Sequence, residues 1–514
     1  MSNTQAGAHS KEGVVHRPSS SSDTSEFPDP TYRETVLAPL FEGVKTHFAA
    51  SMARINRAHL VMLSDTAILK PAGVCALAQA LAEIEANIDI ASLNYTGEHE
   101  DYFFVIEAAL RERLGDQGGA LHTARSRNDM DHTLFKMALR IRARTMLMQL
   151  ETLTQALINK ADCEAETLIV AYTHGQPAQP TTFGHYLAAV IEVLLRDMAR
   201  LSNAADALEH CPMGAAAITT SGFPIDRWRM AELLGFDAPL LNSYGCIAAV
   251  DYITGLYSAL KLVFVHLGRV VQDMGYWAAF EVGQLYVPDS LVQISSIMPQ
   301  KRNPVPIEHM RHLASVSAGR CDMLINTMHN TPFTDMNDSE GEVQQAGYDA
   351  FDSGGRMLAL LTAFLPACQI NAERVAINSE AACTTITELA DTLVREEALS
   401  FRQAHEIAAI TARSVIADKL ALAEGFPAFV KAFKTQTGQT PNLSESRFRT
   451  VASAEHFVSV RDRPGGPAAA AMAQALAIYR SELADLTKQR SERDRRHEQA
   501  ETKLDAAFTA LLQS

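Results

Sequence analysis

The sequence predicts a mainly α-helical protein built around a long central bundle, on three observations. Apolar residues recur every three or four positions for about five turns through Leu256, Leu260, Val263, Phe264, Leu267, Val270, Val271 and Met274, the period of a helix buried along one face. The same spacing returns in Leu187, Val190, Ile191, Leu194 and Leu195. Strand-like alternation is scarce. Helices so long and apolar need several neighbours, which points to a bundle that also buries surface against other subunits.

Taken in order, residues 1–25 are a Ser-rich polar tail, with Ser19 to Ser22 consecutive, and predict no fixed structure. Pro and Gly cluster at 211–224, 295–306 and 464–467, which read as functional or connecting loops. The run Arg490 to Glu498 is densely charged on all sides, as expected of a solvated helix end. The chain has 514 residues, enough for two or three domains and a large core. Its 45 basic and 60 acidic residues give a formal charge of −15, which argues against a nucleic-acid or membrane-surface partner. An anionic substrate would then need a local basic pocket. The seven cysteines are scattered without a C-x-x-C pair, fitting a reducing cytoplasm and offering no zinc site. With no leader-like opening and no apolar run of about 18 residues free of charge, a soluble cytoplasmic protein is expected.

The most informative stretch is Ser295-Ser296-Ile297-Met298-Pro299-Gln300-Lys301-Arg302-Asn303-Pro304. It places hydroxyls, a lysine and an amide in a loop that opens a helix, with Asn303 read as the N-cap and Pro304 as the first helical residue. A helix N-terminus beside Lys301 gathers positive potential and free N–H donors, which suits a carboxylate. Two distant segments join it: His122-Thr123-Ala124-Arg125-Ser126-Arg127-Asn128-Asp129, and Thr173-His174-Gly175-Gln176-Pro177-Ala178-Gln179-Pro180-Thr181-Thr182-Phe183-Gly184-His185.

Together these resemble the S-S-x-M-P-x-K-x-N-P, H-T-x-R-S-R-N-D and T-H-x-Q-x-A-Q-P-x-T-x-G-H motifs of the argininosuccinate lyase branch of the aspartase/fumarase superfamily. The likeness continues through Ile225-Asp226-Arg227 and Phe401-Arg402-Gln403-Ala404-His405-Glu406. It implies a three-domain, mainly α fold: an N-terminal helical domain over 26–125, a central bundle over 126–374 and a C-terminal helical domain over 375–514. It also implies a homotetramer with each active site shared by three subunits, so the three motifs need not meet within one chain.

The implied reaction is β-elimination of an amine from an N-substituted aspartate with release of fumarate, using no metal and no organic cofactor. Such chemistry needs a base at the carbon beta to nitrogen, stabilisation of a dianionic carboxylate, and a proton for the leaving nitrogen. By resemblance Ser295 is the base, acting as a near-alkoxide in its cationic loop, and Ser296 stabilises the loop. Lys301 and Asn303 grip the carboxylate that gathers charge. Ser126, Arg127 and Asn128 bind substrate carboxylate, the arginine as a two-pronged clamp, although Ser126 or Asn128 can also cap a helix. Thr173 binds a carboxylate. His174 pairs with Glu308, which would orient the imidazole and raise its pKa, so that it protonates the leaving amine or positions the substrate. His122 and His185 read as structural.

Departures from the branch fall on the leaving-group half. Its E-D-I-H-T-x-N-E reads Glu100-Asp101-Tyr102-Phe103-Phe104-Val105-Ile106-Glu107 here, with three polar positions turned apolar. The Tyr, Gln and Lys that hold the arginine end of argininosuccinate align with Asp335, Glu340 and Val343, and the stretch Asn242 to Asp251 lacks the branch's Asp and Arg. Asp335 and Glu340 therefore form the expected leaving-group pocket, suited to a cationic diamine. The pattern resembles members of the branch that cleave ethylenediamine-N,N'-disuccinate, first to N-(2-aminoethyl)aspartate and then to ethylenediamine. Other fumarate-releasing chemistry of the superfamily, with argininosuccinate or adenylosuccinate as substrate, is the alternative. A catalytically silent, crystallin-like structural role is the third reading, and the intact Ser295, Lys301 and His174 speak against it.

Overall fold

The computed structural model describes residues 27–513; the polar tail expected over 1–25 lies outside them. The fold is mainly α. Its helices of ten residues or more are α1 (Ala38–His47), α2 (Ala49–Asp65), α3 (Pro71–Asn87), α4 (Tyr102–Leu114), α5 (Arg127–Cys163), α6 (Phe183–Ala205), α7 (Asp251–Ala278), α8 (Val305–Thr327), α9 (Gly341–Ala367), α10 (Ala372–Ala381), α11 (Ile386–Glu396), α12 (Phe401–Ala417), α13 (Phe426–Thr437) and α14 (Ala469–Leu511).

The two stretches with helical period fall inside α6 and α7, and their apolar stripes explain the bundle. Leu187, Ile191 and Leu194 of α6 and Leu256, Leu260, Val263 and Leu267 of α7 are essentially solvent-free. These helices pack on each other, α5 lies on α6, and α8 is sandwiched by α7 and α9. Helix α7 is long and apolar enough to cross a bilayer by length and composition, yet its stripe is spent on neighbouring helices. A second core, separate from the bundle, gathers Leu389, Leu393, Ile407, Phe429, Phe433 and Phe448 from α11 to α13 and the helix Glu445–Val451.

The span 375–514 therefore divides between two cores. Its last helix, α14, turns back along α2, α5 and α6, seating Met472, Leu476, Leu504 and Phe508 in the main core. The charged run 490–498 is the middle of this helix, not a solvated end. Arg490 is held by Glu151 at 2.6 Å, Arg493 by Asp206 at 2.7 Å, Arg496 by Asp237 at 2.8 Å and His497 by Glu209 at 2.9 Å. Charge density along a sequence does not reveal carboxylates waiting on the opposite helix.

Sequence period also missed a β-hairpin. Strands β1 (Leu168–Thr173) and β2 (Gln176–Thr182) pair antiparallel, with Thr173 opposite Gln176. Pro177 and Pro180 disguise the alternation, and both lie on a strand of a two-stranded sheet, where one edge needs no donors. A second, shorter hairpin joins β3 (Gln293–Ile294) to β4 (Arg302–Asn303).

Candidate active site

The first motif forms the N-terminus of α5. Ser126 is its N-cap in a capping box with Asp129, which lets one carboxylate hold the start of the helix. Asp129 is fully buried; Oδ1 accepts from Ser126 N at 3.0 Å, and Oδ2 from Gly214 N at 2.9 Å and Ala216 N at 3.0 Å. Burial pushes its pKa up to about 6, against the pull of those N–H groups. Asn128 Nδ2 donates to the Ala217 carbonyl at 3.2 Å. The Gly- and Pro-rich loop after residue 211 is thereby stitched to the motif, although Ala216 and Thr220 must take φ of +50° and +65°.

Arg127 does not present an empty clamp. One terminal nitrogen donates to Asp101 at 2.6 Å, the other to Glu100 at 3.0 Å, and the guanidinium lies 5.3 Å from the Phe104 ring centroid. Burial works to lower its pKa, but the two carboxylates outweigh it and the charge is held firmly. Phe103 plays the same part for Arg125, whose guanidinium sits 5.5 Å from its ring. The apolar substitutions at 103 and 104 thus make an aromatic shelf under two arginines.

Beyond Arg127 lies a carboxylate cluster. Asp335 and Glu340, far from α5 in sequence, converge on Asp131, which sequence reading passed over. Burial, then the neighbouring acids, raises Asp131 to about 8 and shifts Glu340 in the same direction, because carboxylates crowded in a partly buried site cannot all ionise. His132 Nε2 stands 3.9 Å from Asp335 Oδ1, both atoms buried and neither with a hydrogen-bond partner among the described residues. Its Nδ1 meets the Tyr252 hydroxyl at 3.1 Å, and burial lowers its pKa to about 4, so the ring is neutral near pH 7. Asp131 could have been noticed as the residue four beyond Arg127, one turn along the same helix face.

The second motif makes the tip of the β1–β2 hairpin. His174 and Gly175 have φ of +54° and +73°, the two positive values of a type I′ turn. A non-glycine residue seldom takes this conformation, and here it holds His174 exposed at the tip beside an exposed Thr173. Tyr276 donates to the Gly175 carbonyl at 3.0 Å and steadies the turn. His185 bridges Thr181 Oγ1 at 2.8 Å and the Gly465 carbonyl at 3.0 Å, a structural tie between the hairpin and the 464–467 loop.

The third motif is the tip between β3 and β4. Ser295 Oγ accepts from Met298 N at 3.1 Å and Ile297 N at 3.4 Å, and Lys301 N closes the turn on the Met298 carbonyl at 2.9 Å. Lys301 is exposed and has no ion pair among the described residues. Arg302 is spent on Asp289 at 2.5 Å. The expected cap is corrected: Pro304, with ψ of 58°, is the N-cap, Val305 opens the helix and Asn303 belongs to β4. A residue before proline is pushed to extended backbone, which fits Asn303 to strand pairing.

Glu308 lies exposed in the first turn of α8. Among the described residues, no hydrogen bond or ion pair joins it to His174, so the expected pair does not form within one chain. Nor does any such contact join the Ser295 loop to the Arg127 cluster.

Comparison with known proteins follows the same lines. A family profile described as "Lyase" matches residues 52–319, and one described as "Argininosuccinate lyase C-terminal" matches 383–459. "Argininosuccinate lyase 2" of Agrobacterium fabrum is 57% identical over 493 residues, covering 95% of this chain and 98% of that protein. "Argininosuccinate lyase 1" of Shouchella clausii is 31% identical over 461 residues, covering 89% and 92%. The crystal structure of EDDS lyase in complex with formate superposes with a TM-score of 0.82 at 26% identity, covering 95% of this chain and 99% of that one.

Proposed function

Since the chain belongs to the argininosuccinate lyase branch of the aspartase/fumarase superfamily and is a carbon–nitrogen lyase, we propose that it eliminates a cationic diamine from an N-succinylated diamine, ethylenediamine-N,N'-disuccinate being the intended type. The observation that carries this reading is the meeting of Asp131, Asp335 and Glu340 beside the Ser126-Arg127-Asn128 corner. The α-carboxylate that arginine carries would be repelled there, and the second succinyl group of the disuccinate needs a cation from elsewhere in the assembly. An ammonium would be drawn in.

Ser295 takes the proton from the carbon beta to nitrogen, the C–H electrons become the double bond of fumarate, and the C–N pair leaves with nitrogen, which gains a proton. Lys301 and Asn303 hold the carboxylate on which charge collects, while Ser126, Asn128 and Thr173 hold the other. The half-buried Ser295 and the exposed His174 and Glu308 are completed by copies of the chain: a homotetramer whose sites draw on three subunits brings His174 to Glu308. Arg127 shapes the corner through Asp101 and Glu100.

The 57% identity to an argininosuccinate lyase favours a second reading, with arginine as the leaving group. Amine addition to fumarate separates the two. Ethylenediamine should consume fumarate, followed by its ultraviolet absorbance, whereas arginine should not. If arginine is the better nucleophile under matched conditions, the diamine reading fails.

A further inference from the structure

A loop that closes over substrate must move and still deliver Ser295 to one place, so what holds its ends matters as much as its tip. The root of the Ser295 loop is the segment 284–287, and the side chain of Gln284 there is fully buried. Val170 N donates to Gln284 Oε1 at 3.2 Å, and Gln284 Nε2 donates to the Val170 carbonyl at 3.3 Å. One side-chain amide thus takes the place of a third strand along the open edge of β1. Val170 needs it, being solvent-free and standing opposite Pro180, which has no N–H to give. The backbone of the root is seated as well: the Gln284 carbonyl accepts from Asn371 N at 2.9 Å, and Leu285 and Tyr286 pair with Ile370 and Gln369. Arg302 closes the far end of the loop on this root, donating to the Val287 carbonyl at 2.9 Å. The base of the Ser295 loop is therefore tied through Gln284 to β1, the strand that runs on to Thr173 and His174.

Resting on the reading of Ser295 as the base, we propose that Gln284 is a positioning residue for the reaction: its amide fixes the root of the Ser295 loop against β1. The role needs both halves of the amide. Loss of either the donor or the acceptor leaves a buried Val170 group unpaired and frees the root to shift from the strand. A displacement of about 1 Å at a reacting atom can cost on the order of a hundredfold in rate. Such a loss falls mainly on kcat, because the Ser295 base and the charge gathered by Lys301 act chiefly in the transition state.

The test measures kcat and KM for fumarate release by the intact enzyme, from any N-substituted aspartate that wild type turns over, so the identity of the amine does not enter. Gln284→Met keeps the length of the side chain and removes both hydrogen bonds; kcat should fall about tenfold or more, with a smaller change in KM and the oligomeric state unchanged. Gln284→Glu supplies a readout that a merely structural tie would not move. Burial favours the neutral carboxyl, whose C=O and O–H repeat both bonds to Val170, whereas the carboxylate can only accept. Its kcat relative to wild type at the same pH should be high at about pH 6 and approach that of Gln284→Met by about pH 9, as expected of a buried glutamic acid. If Gln284→Met does not fold, this pH profile carries the test alone. Full kcat in folded Gln284→Met, a loss confined to KM, or a Gln284→Glu ratio that does not change with pH overturns the proposal, provided Ser295→Ala assayed beside it is inactive. Full turnover by Ser295→Ala overturns the base assignment instead, and this inference with it.

Discussion

Asp129 Oδ2 accepts the backbone N–H of Gly214 at 2.9 Å, so one buried carboxylate fixes both the start of α5 and the loop that faces it. Asp129→Ala would orphan the N–H groups of Ser126, Gly214 and Ala216 together. Stability should fall by on the order of 3 kcal/mol, since each unsatisfied buried donor costs about 1–3 kcal/mol. Chemical denaturation measures this, and a loss under about 1 kcal/mol would mean that water replaces the carboxylate.

Ser295→Ala should lower turnover by roughly two to four orders of magnitude, the range for losing a positioned base, with the oligomeric state unchanged. The hydroxyl also accepts from Ile297 and Met298 N–H, so the variant's fold needs checking by circular dichroism. Near-wild-type turnover in a folded variant would remove Ser295 from the mechanism.

The loop of about residues 288–302 should close over a dicarboxylate, excluding water as it brings Ser295 to the reacting carbon. Its tip is held by few contacts, with Ile297 83% exposed and Ile294 71% exposed. Amide hydrogen exchange in this segment should slow when fumarate is added. Equal exchange in both states counts against gating.

Asp131 makes a pH prediction with a definite sign. Its pKa rises from an ordinary 3.8 to about 8 on folding, so between these values the folded chain binds more protons than the unfolded one. The contribution to stability is fully present below the unfolded value and is lost as pH rises through about 8. Melting temperature should therefore fall from pH 6 to pH 9, and Asp131→Asn should flatten that slope. Affinity for a cationic amine should move the opposite way, strengthening as the cluster ionises. A wild-type slope retained in Asp131→Asn would assign the titration elsewhere.

How much was legible in the sequence varied with the range of the interaction involved. Helical period found α6 and α7 because an apolar stripe follows from 3.6 residues per turn, whatever the stripe later touches. The N-cap, read as Ser126 or Asn128, and the motif strings were likewise local, and the strings sufficed for the family; the capping box with Asp129 came from the structure. Asp335 and Glu340 stood out only as departures from a pattern. The hairpin carrying His174 was hidden by prolines, and the cap at Pro304 turned on backbone angles that residue identities do not fix.

What only the tertiary structure decided is which charges meet. Asp131 reads in the chain as one more acid on a helix, and becomes part of an acidic cluster because Asp335 and Glu340, some two hundred residues later, come near it. Arg127 reads as a free clamp until Asp101 and Glu100 are seen holding it, and Arg490 to His497 read as solvated until α5 and the segment after α6 supply their partners. Local order is written in neighbouring residues because backbone and side-chain geometry act over a turn or two. Electrostatic environment is a sum over everything within several ångströms in space, and that sum exists only once the chain has folded.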